Sequence, residues 1–397
     1  VHTIEMAEHY LIPFYKRTPL VITKGKGCYV WDEKKRRYLD MTSGIAVVNL
    51  GHRHPRVVKA LQHQAKRIWH ISNLFYQKPQ TELAEKLVQR SFDGMVFFAN
   101  SGAEANDGAL KIARLWGNKR GKTKVIALQQ SFHGRTIATI SLTGQEKYKK
   151  GFDPLLGEIV FVTPGNIEEL RQAWDDTVCA IFLEVIQCEG GVKALSKPFL
   201  DEVMRLSREK ESLIIIDEVQ TGMGRTGTLF GYQQFGIEPD IITLAKGLGN
   251  GFPVAAIVVR RPLGKEMPQG MHASTFGGNF LACAVANAVL DTMDESFLNR
   301  VQKMSQYFGQ QLTELQKKYP AFLLDIRVYG LMIGIDLAKE LPVAEVIERF
   351  LAKGILTLRA GENTLRLAPP LIIHEKEIQS FIKAFDTLLQ EKQGRTA

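Results

Sequence analysis

Four apolar residues stand in a row at Leu213-Ile214-Ile215-Ile216, three of them β-branched, and the run ends in Asp217-Glu218. An unbroken apolar run of this length suits a strand buried on both faces. Such a strand needs helices above and below its sheet, which restricts the chain to a layered α/β architecture. Further apolar runs at Met95–Ala99, Val125–Leu128, Ala180–Ile186 and Pro253–Val259 alternate with helical spacing, for example over 56–70 and 80–91. Alternation through residues 50 to 280 predicts a mostly parallel sheet, whose ligand site lies beyond the carboxyl ends of its strands. From about Glu295 the texture changes. Charged helical stretches at 296–318 and 342–353 surround short alternating runs at Leu331–Leu337, Ile355–Leu358 and Thr364–Leu367. With 397 residues, the chain is long enough for two domains. The expected division is 1–50 as an arm and strands packing with the small domain, 51–290 as the large domain, and 291–397 as the smaller α/β domain.

Asp217, at the carboxyl end of its strand, is a buried acid that must be paired or hydrogen-bonded. Helix capping and Mg²⁺ binding are competing uses of one such acid. Lys246 stands at the end of a second apolar run, immediately before Gly247-Leu248-Gly249-Asn250-Gly251. An amine held away from water there loses its preference for the charged form and becomes a nucleophile. A protonated pyridine nitrogen would satisfy Asp217, and an aldehyde would engage Lys246. Pyridoxal phosphate carries both.

Other stretches carry weaker signals of their own. Asn100-Ser101-Gly102-Ala103-Glu104-Ala105-Asn106 opens a helix, with Ser101 and Glu104 spaced as a capping box and small residues that would let amides approach an anion. Ser131-Phe132-His133-Gly134-Arg135 follows a strand; Phe132 can stack on a flat ligand and Arg135 can grip a carboxylate, or they can be core and surface. No role is assigned to His133. Gly222 to Gly227 satisfies G-x-G-x-x-G, but it starts five positions after Asp217 and opens no clean amphipathic helix. It is rejected as a dinucleotide turn.

Ile216-Asp217-Glu218-Val219-Gln220-Thr221-Gly222-Met223-Gly224-Arg225-Thr226-Gly227, followed by Ala245-Lys246-Gly247-Leu248-Gly249, resembles the signature of the class III aminotransferases. Within that family the chain is most similar to the acetylornithine aminotransferases, from about Pro19 to Ile372. The resemblance implies the aspartate-aminotransferase fold (PLP fold type I): a large domain with a mostly parallel seven-stranded sheet and a smaller α/β domain. It implies pyridoxal 5'-phosphate as cofactor, with Lys246 on its aldehyde and moving the proton, Asp217 on the pyridine nitrogen and Gln220 near the phenolic oxygen. Gly102 and Ala103 would meet the phosphate, Phe132 the ring, and Thr275 the phosphate of the neighbouring subunit in a homodimer with active sites at the subunit interface. Arg135 and Ser274 would contact substrate, while Glu189 would pair with Arg366 in the substrate pocket. The implied reaction moves the side-chain amine of N2-acetylornithine to 2-oxoglutarate, as in arginine biosynthesis. Ornithine, succinylornithine, succinyldiaminopimelate and 4-aminobutyrate stand as alternative donors. Ile45 occupies a position where ornithine aminotransferases carry tyrosine, which favours an acylated donor. Cys188 replaces a usual glycine and Val185 a frequent proline.

Cys28, Cys179, Cys188 and Cys283 show no paired spacing, so reduced thiols in a cytoplasmic protein are expected and no metal site. No apolar run is long enough to span a membrane. The net charge of +9 is spread along the chain, so a small acidic substrate is expected and no nucleic acid. The rival from another class is a non-catalytic or nucleic-acid-binding protein on the same scaffold.

Overall fold

A computed structural model describes residues 2–396. Seven strands form the central sheet: β1 (Gly94–Ala99), β2 (Lys124–Leu128), β3 (Ile159–Val162), β4 (Val178–Leu183), β5 (Leu213–Asp217), β6 (Ile241–Leu244) and β7 (Ala255–Arg260). Their order is β1-β7-β6-β5-β4-β2-β3. β7 runs antiparallel to both its neighbours, and the pairs from β6 to β3 are parallel. All residues of β4 and β5 are buried, as their unbroken apolar runs require. β3, not picked out by the sequence pattern, is a short, half-buried edge strand.

Helix α1 (Gly102–Asn118) leaves β1 and packs beneath β4, β6 and β7 through Ala105, Ala109 and Ala113, small residues that bring it close to the sheet. The first helical stretch ends at Ala65, short of the expected 70. Beyond it Gln64 Nε2 donates to Ile68 O and Trp69 Nε1 to Ala65 O, so side chains take carbonyls that a continuing helix would use.

In the C-terminal part Leu323–Tyr329, Met332–Leu337, Thr364–Leu367 and Leu358–Ala360 make a four-stranded antiparallel sheet. The first of these strands lies outside the runs marked in the sequence. Near the N-terminus Ile22–Lys26, Tyr29–Asp32 and Arg37–Asp40 form a meander, which Ile355–Leu356 extends by pairing in parallel with Leu39 and Asp40. Among the described residues no helix is long and apolar enough to cross a membrane. All four cysteines are unpaired and buried.

The G-x-G-x-x-G stretch proves to be a structural tie. Arg225 is fully buried and donates from Nη1 to Leu331 O (2.9 Å) and Pro369 O (2.6 Å), and from Nη2 to Asn49 Oδ1 (2.6 Å). Gly224 and Gly227 adopt φ of 80° and 94°, a left-handed geometry that glycine accepts without strain. Only a four-residue helix, Tyr232–Phe235, follows. One guanidinium thus fastens the N-terminal segment and the C-terminal part to the loop after β5.

Replacing Arg225 with Met strands three buried acceptors. The expected cost is about 3–5 kcal/mol in urea unfolding, in the range for breaking buried charged networks. A loss below about 1 kcal/mol would contradict the tie.

Candidate active site

The carboxyl ends of β4, β5 and β6 and the start of α1 converge on one cavity of about 310 Å³. Asp217, Lys246, Gln220, Phe132 and Glu184 line it, with Gly102 and Ala103 at the helix start. The residues come from segments far apart in the chain, and parallel strand ends bring them together.

Asp217 is 4% exposed and carries three hydrogen bonds. Its Oδ2 accepts from Asn106 Nδ2 (2.7 Å) and His133 Nδ1 (2.8 Å), and its Oδ1 from Val219 N (2.9 Å). A carboxylate only accepts, so the His133 proton facing it sits on Nδ1. Asn106 is held in turn by Thr243 Oγ1, which donates to its Oδ1 (2.6 Å), and it gives a further bond to His133 O (2.7 Å). Neither Asn106 nor His133 was assigned a role from sequence. Both proved to anchor the central acid.

Lys246 begins a short turn after β6 with φ of 45°, a left-handed conformation that costs a non-glycine residue energy and marks a constrained position. The glycines around it are demanded by contact. A Cβ on Gly247 would lie 2.4 Å from Asn49 Nδ2, and one on Gly249 1.9 Å from Phe252 O. Burial, and then the Arg366 guanidinium, push the Lys246 amine below its ordinary pKa. A shift in this direction favours the free amine, the form that acts as a nucleophile.

Arg366 is 3% exposed and donates from Nη1 to Glu189 Oε1 at 2.6 Å, with a longer contact to Gln220 Oε1 at 3.4 Å. Its Nε is buried with no hydrogen-bond partner among the described residues. Burial alone would raise the Glu189 carboxyl, yet Arg366 holds it below its usual range. Arg327 donates to Gly191 O (2.8 Å) and Val192 O (3.1 Å), and Gly361 N donates to Glu189 O (3.0 Å), so the backbone of this turn is pinned. Cys188 is fully buried with Sγ 3.1 Å from Met332 Sδ, and Val185 is likewise buried. Neither lines the cavity.

Glu189 and Arg366 do not line the cavity, and four further sequence candidates also stay outside its lining in a single chain. Arg135 is exposed, its guanidinium 4.0 Å from the Tyr148 ring centre and 5.4 Å from that of Phe132. Ser274 Oγ accepts from Gly277 N (2.9 Å) and meets Asn100 Nδ2 at 3.3 Å, and Asn100 lines the cavity. Thr275 is exposed, as is Ile45.

The residues fit pyridoxal phosphate. The N–H groups of Gly102 and Ala103 make no hydrogen bond with the described residues, and they head a 17-residue helix whose dipole favours an anion. A half-buried amine, Lys246, and a buried acid, Asp217, share the cavity with the Phe132 ring.

The family described as Aminotransferase class-III matches residues 12–389. The acetylornithine aminotransferase of Caldanaerobacter subterraneus subsp. tengcongensis is 47% identical over 392 residues, covering 98% of this chain and 99% of that one. The acetylornithine/succinyldiaminopimelate aminotransferase of Yersinia pestis is 42% identical, with 94% and 93% covered. An ornithine aminotransferase structure from Toxoplasma gondii, with partial occupancy of PLP at its active site, superposes with a TM-score of 0.93 at 31% identity, covering 98% and 95%.

Substituting Ala for Asn106 removes a donor from Asp217 and the acceptor of Thr243. A loss of about 1–3 kcal/mol in equilibrium unfolding is expected. A change under about 0.5 kcal/mol would show that the network does not need Asn106.

Proposed function

The chain belongs to the class III aminotransferases, and from that premise we propose that this pyridoxal-phosphate-dependent transaminase moves the side-chain amine of N2-acetylornithine to 2-oxoglutarate, giving N-acetylglutamate semialdehyde and glutamate. The observation that carries the reading is the Glu189–Arg366 pair beside the cavity that holds Lys246 and Asp217. The donor class follows the relatives, which are acetylornithine aminotransferases. Succinyldiaminopimelate is a second donor to test, because several relatives carry it in their names. A place in arginine biosynthesis accompanies the first donor.

When bound, pyridoxal phosphate supplies an aldehyde that takes up amino groups and a ring that withdraws electrons. Asp217, its carboxylate fixed by Asn106, His133 and Val219, would hold the proton of the ring nitrogen. Lys246 Nζ would hold the aldehyde end and, once free, would take and return a proton near the reacting carbon. The Gly102 and Ala103 amides would seat the phosphate, Phe132 would meet the ring, and Gln220 would serve the phenolic oxygen.

Two unlike substrates must use one pocket. Arg135 binds a carboxylate of each, steadied by the Tyr148 ring beneath it. Glu189 masks Arg366 while the acylated diamino acid reacts at its side-chain amine, then releases it for the second carboxylate of glutamate. The unpartnered Nε of Arg366 gives the guanidinium a free donor for that carboxylate.

The active protein is a homodimer in this reading. Leu74, Phe75 and Tyr76 are exposed large apolar side chains in a segment tied to the Thr275 loop: Asn73 Nδ2 donates to Ser274 O and Gly277 O, both at 3.0 Å. A second copy would cover them, and Thr275 would reach the phosphate in the partner's cavity while Ser274 meets substrate.

Lys246→Ala should abolish the visible absorbance of the bound cofactor and all transamination; retention of both would overturn the assignment. Glu189→Ala should lower the rate of the acetylornithine half-reaction by about tenfold and that of glutamate by less than about threefold in stopped-flow measurements. Equal falls would refute the switch.

A further inference from the structure

The cavity holds a second buried acid that the reading above leaves without a task. Glu184 follows β4 directly and is 5% exposed. Leu183 is paired with Ile216 across the sheet, so Glu184 and Asp217 leave adjacent strand ends side by side, and both line the cavity. Two carboxylates in one water-poor space do not both ionise readily.

Hydrogen bonds decide which of the two keeps the charge. Asp217 accepts three, from Asn106, His133 and Val219. Glu184 accepts one, from Phe132 N to Oε2 at 3.0 Å, and its Oε1 takes none from the described residues. The better-solvated acid is Asp217. We propose that Glu184 is the protonated member of the pair at neutral pH, a neutral positioning residue that holds the Phe132 main chain through Oε2 and directs an O–H from Oε1 toward the cavity.

The charged and titratable groups facing Glu184 are Asp217 from β5, Glu189 and Cys188 from the turn after β4, and Lys246 from the turn after β6. Burial, then the Asp217 charge, push its carboxyl well above the ordinary range; Glu189 adds to this, while the Phe132 bond and Lys246 oppose it. A neutral Glu184 also matters to Lys246. Glu189 and Asp217 already favour the ammonium form, and a further negative charge would strengthen that pull and remove free amine. This consequence for the reaction rests on the roles proposed for Lys246 and Asp217, whereas the protonation itself does not.

Glutamine mimics a protonated glutamate here, offering one acceptor to Phe132 N and one donor group to the cavity. The infrared difference spectrum of the cofactor-free protein, wild type minus Glu184→Gln at pH 7, should contain a protonated-carboxyl C=O band that shifts in D₂O. Its absence would overturn the proposal, whatever Lys246→Ala does to activity. A folded-state pKa raised above the unfolded value gives stability that is complete below the unfolded pKa and lost as pH rises through the folded one. The Tm of the wild type should therefore fall relative to Glu184→Gln on going alkaline; a wild type that gains instead contradicts the assignment. In the holoenzyme Glu184→Ala should lower kcat/KM about tenfold and Glu184→Gln should recover most of that loss. A glutamine variant as impaired as the alanine one would show that a negative charge is required. If the alanine variant does not fold, the infrared and Tm comparisons decide alone.

Discussion

A carboxylate at the centre of a two-sided sheet is expensive to bury, by several kcal/mol if it is left alone. Asp217 meets that cost with donors from three segments: Asn106 from α1, His133 from the loop after β2, and the main chain of Val219. The same bonds set the cavity's shape. Asn106 fixes the start of α1, where the amides of Gly102 and Ala103 are left free, and His133 fixes the loop that presents Phe132. The free amides at the helix start and the charge compensation of Asp217 are therefore one construction.

The electrostatics of the site follow from how each charge is answered. Arg366, buried, answers Glu189, which is half-buried. Lys246 has no anion bonded to it among the described residues, and burial with Arg366 nearby keeps its amine ready to react. Glu184 meets its surroundings by holding a proton. The downward shift of the Lys246 amine depends on this division, because a further anion beside it would favour its ammonium form.

Much of this was legible in the sequence because the signals were local. The run Leu213–Ile216 announced a doubly covered strand, and Asp217 and Lys246 each stood at the end of one. Long-range partners were harder to read. His133 and Asp217 are 84 positions apart, and one histidine in a loop has many uses. Asn106 sat in a stretch already explained by its capping box, and Glu184 was hidden inside an apolar run read as a strand continuing to Ile186. The G-x-G-x-x-G pattern was rightly refused as a dinucleotide turn, yet nothing in its spacing announced that Arg225 reaches Asn49, Leu331 and Pro369. Half-buried β3 and the strand Leu323–Tyr329 lack the clean alternation or unbroken apolarity that marks their neighbours. Arg135, Ser274 and Thr275 carry no local signal beyond the family resemblance; in one chain Arg135 and Thr275 are exposed and Ser274 is half-buried.

The central claim is that Lys246 is the one lysine joined to the cofactor. Reduction of the holoenzyme with borohydride fixes the bound group to its lysine, and peptide mass mapping then locates it. The account predicts the pyridoxyl label on Lys246 alone, and a label on any other lysine, with Lys246 unmodified, would contradict it.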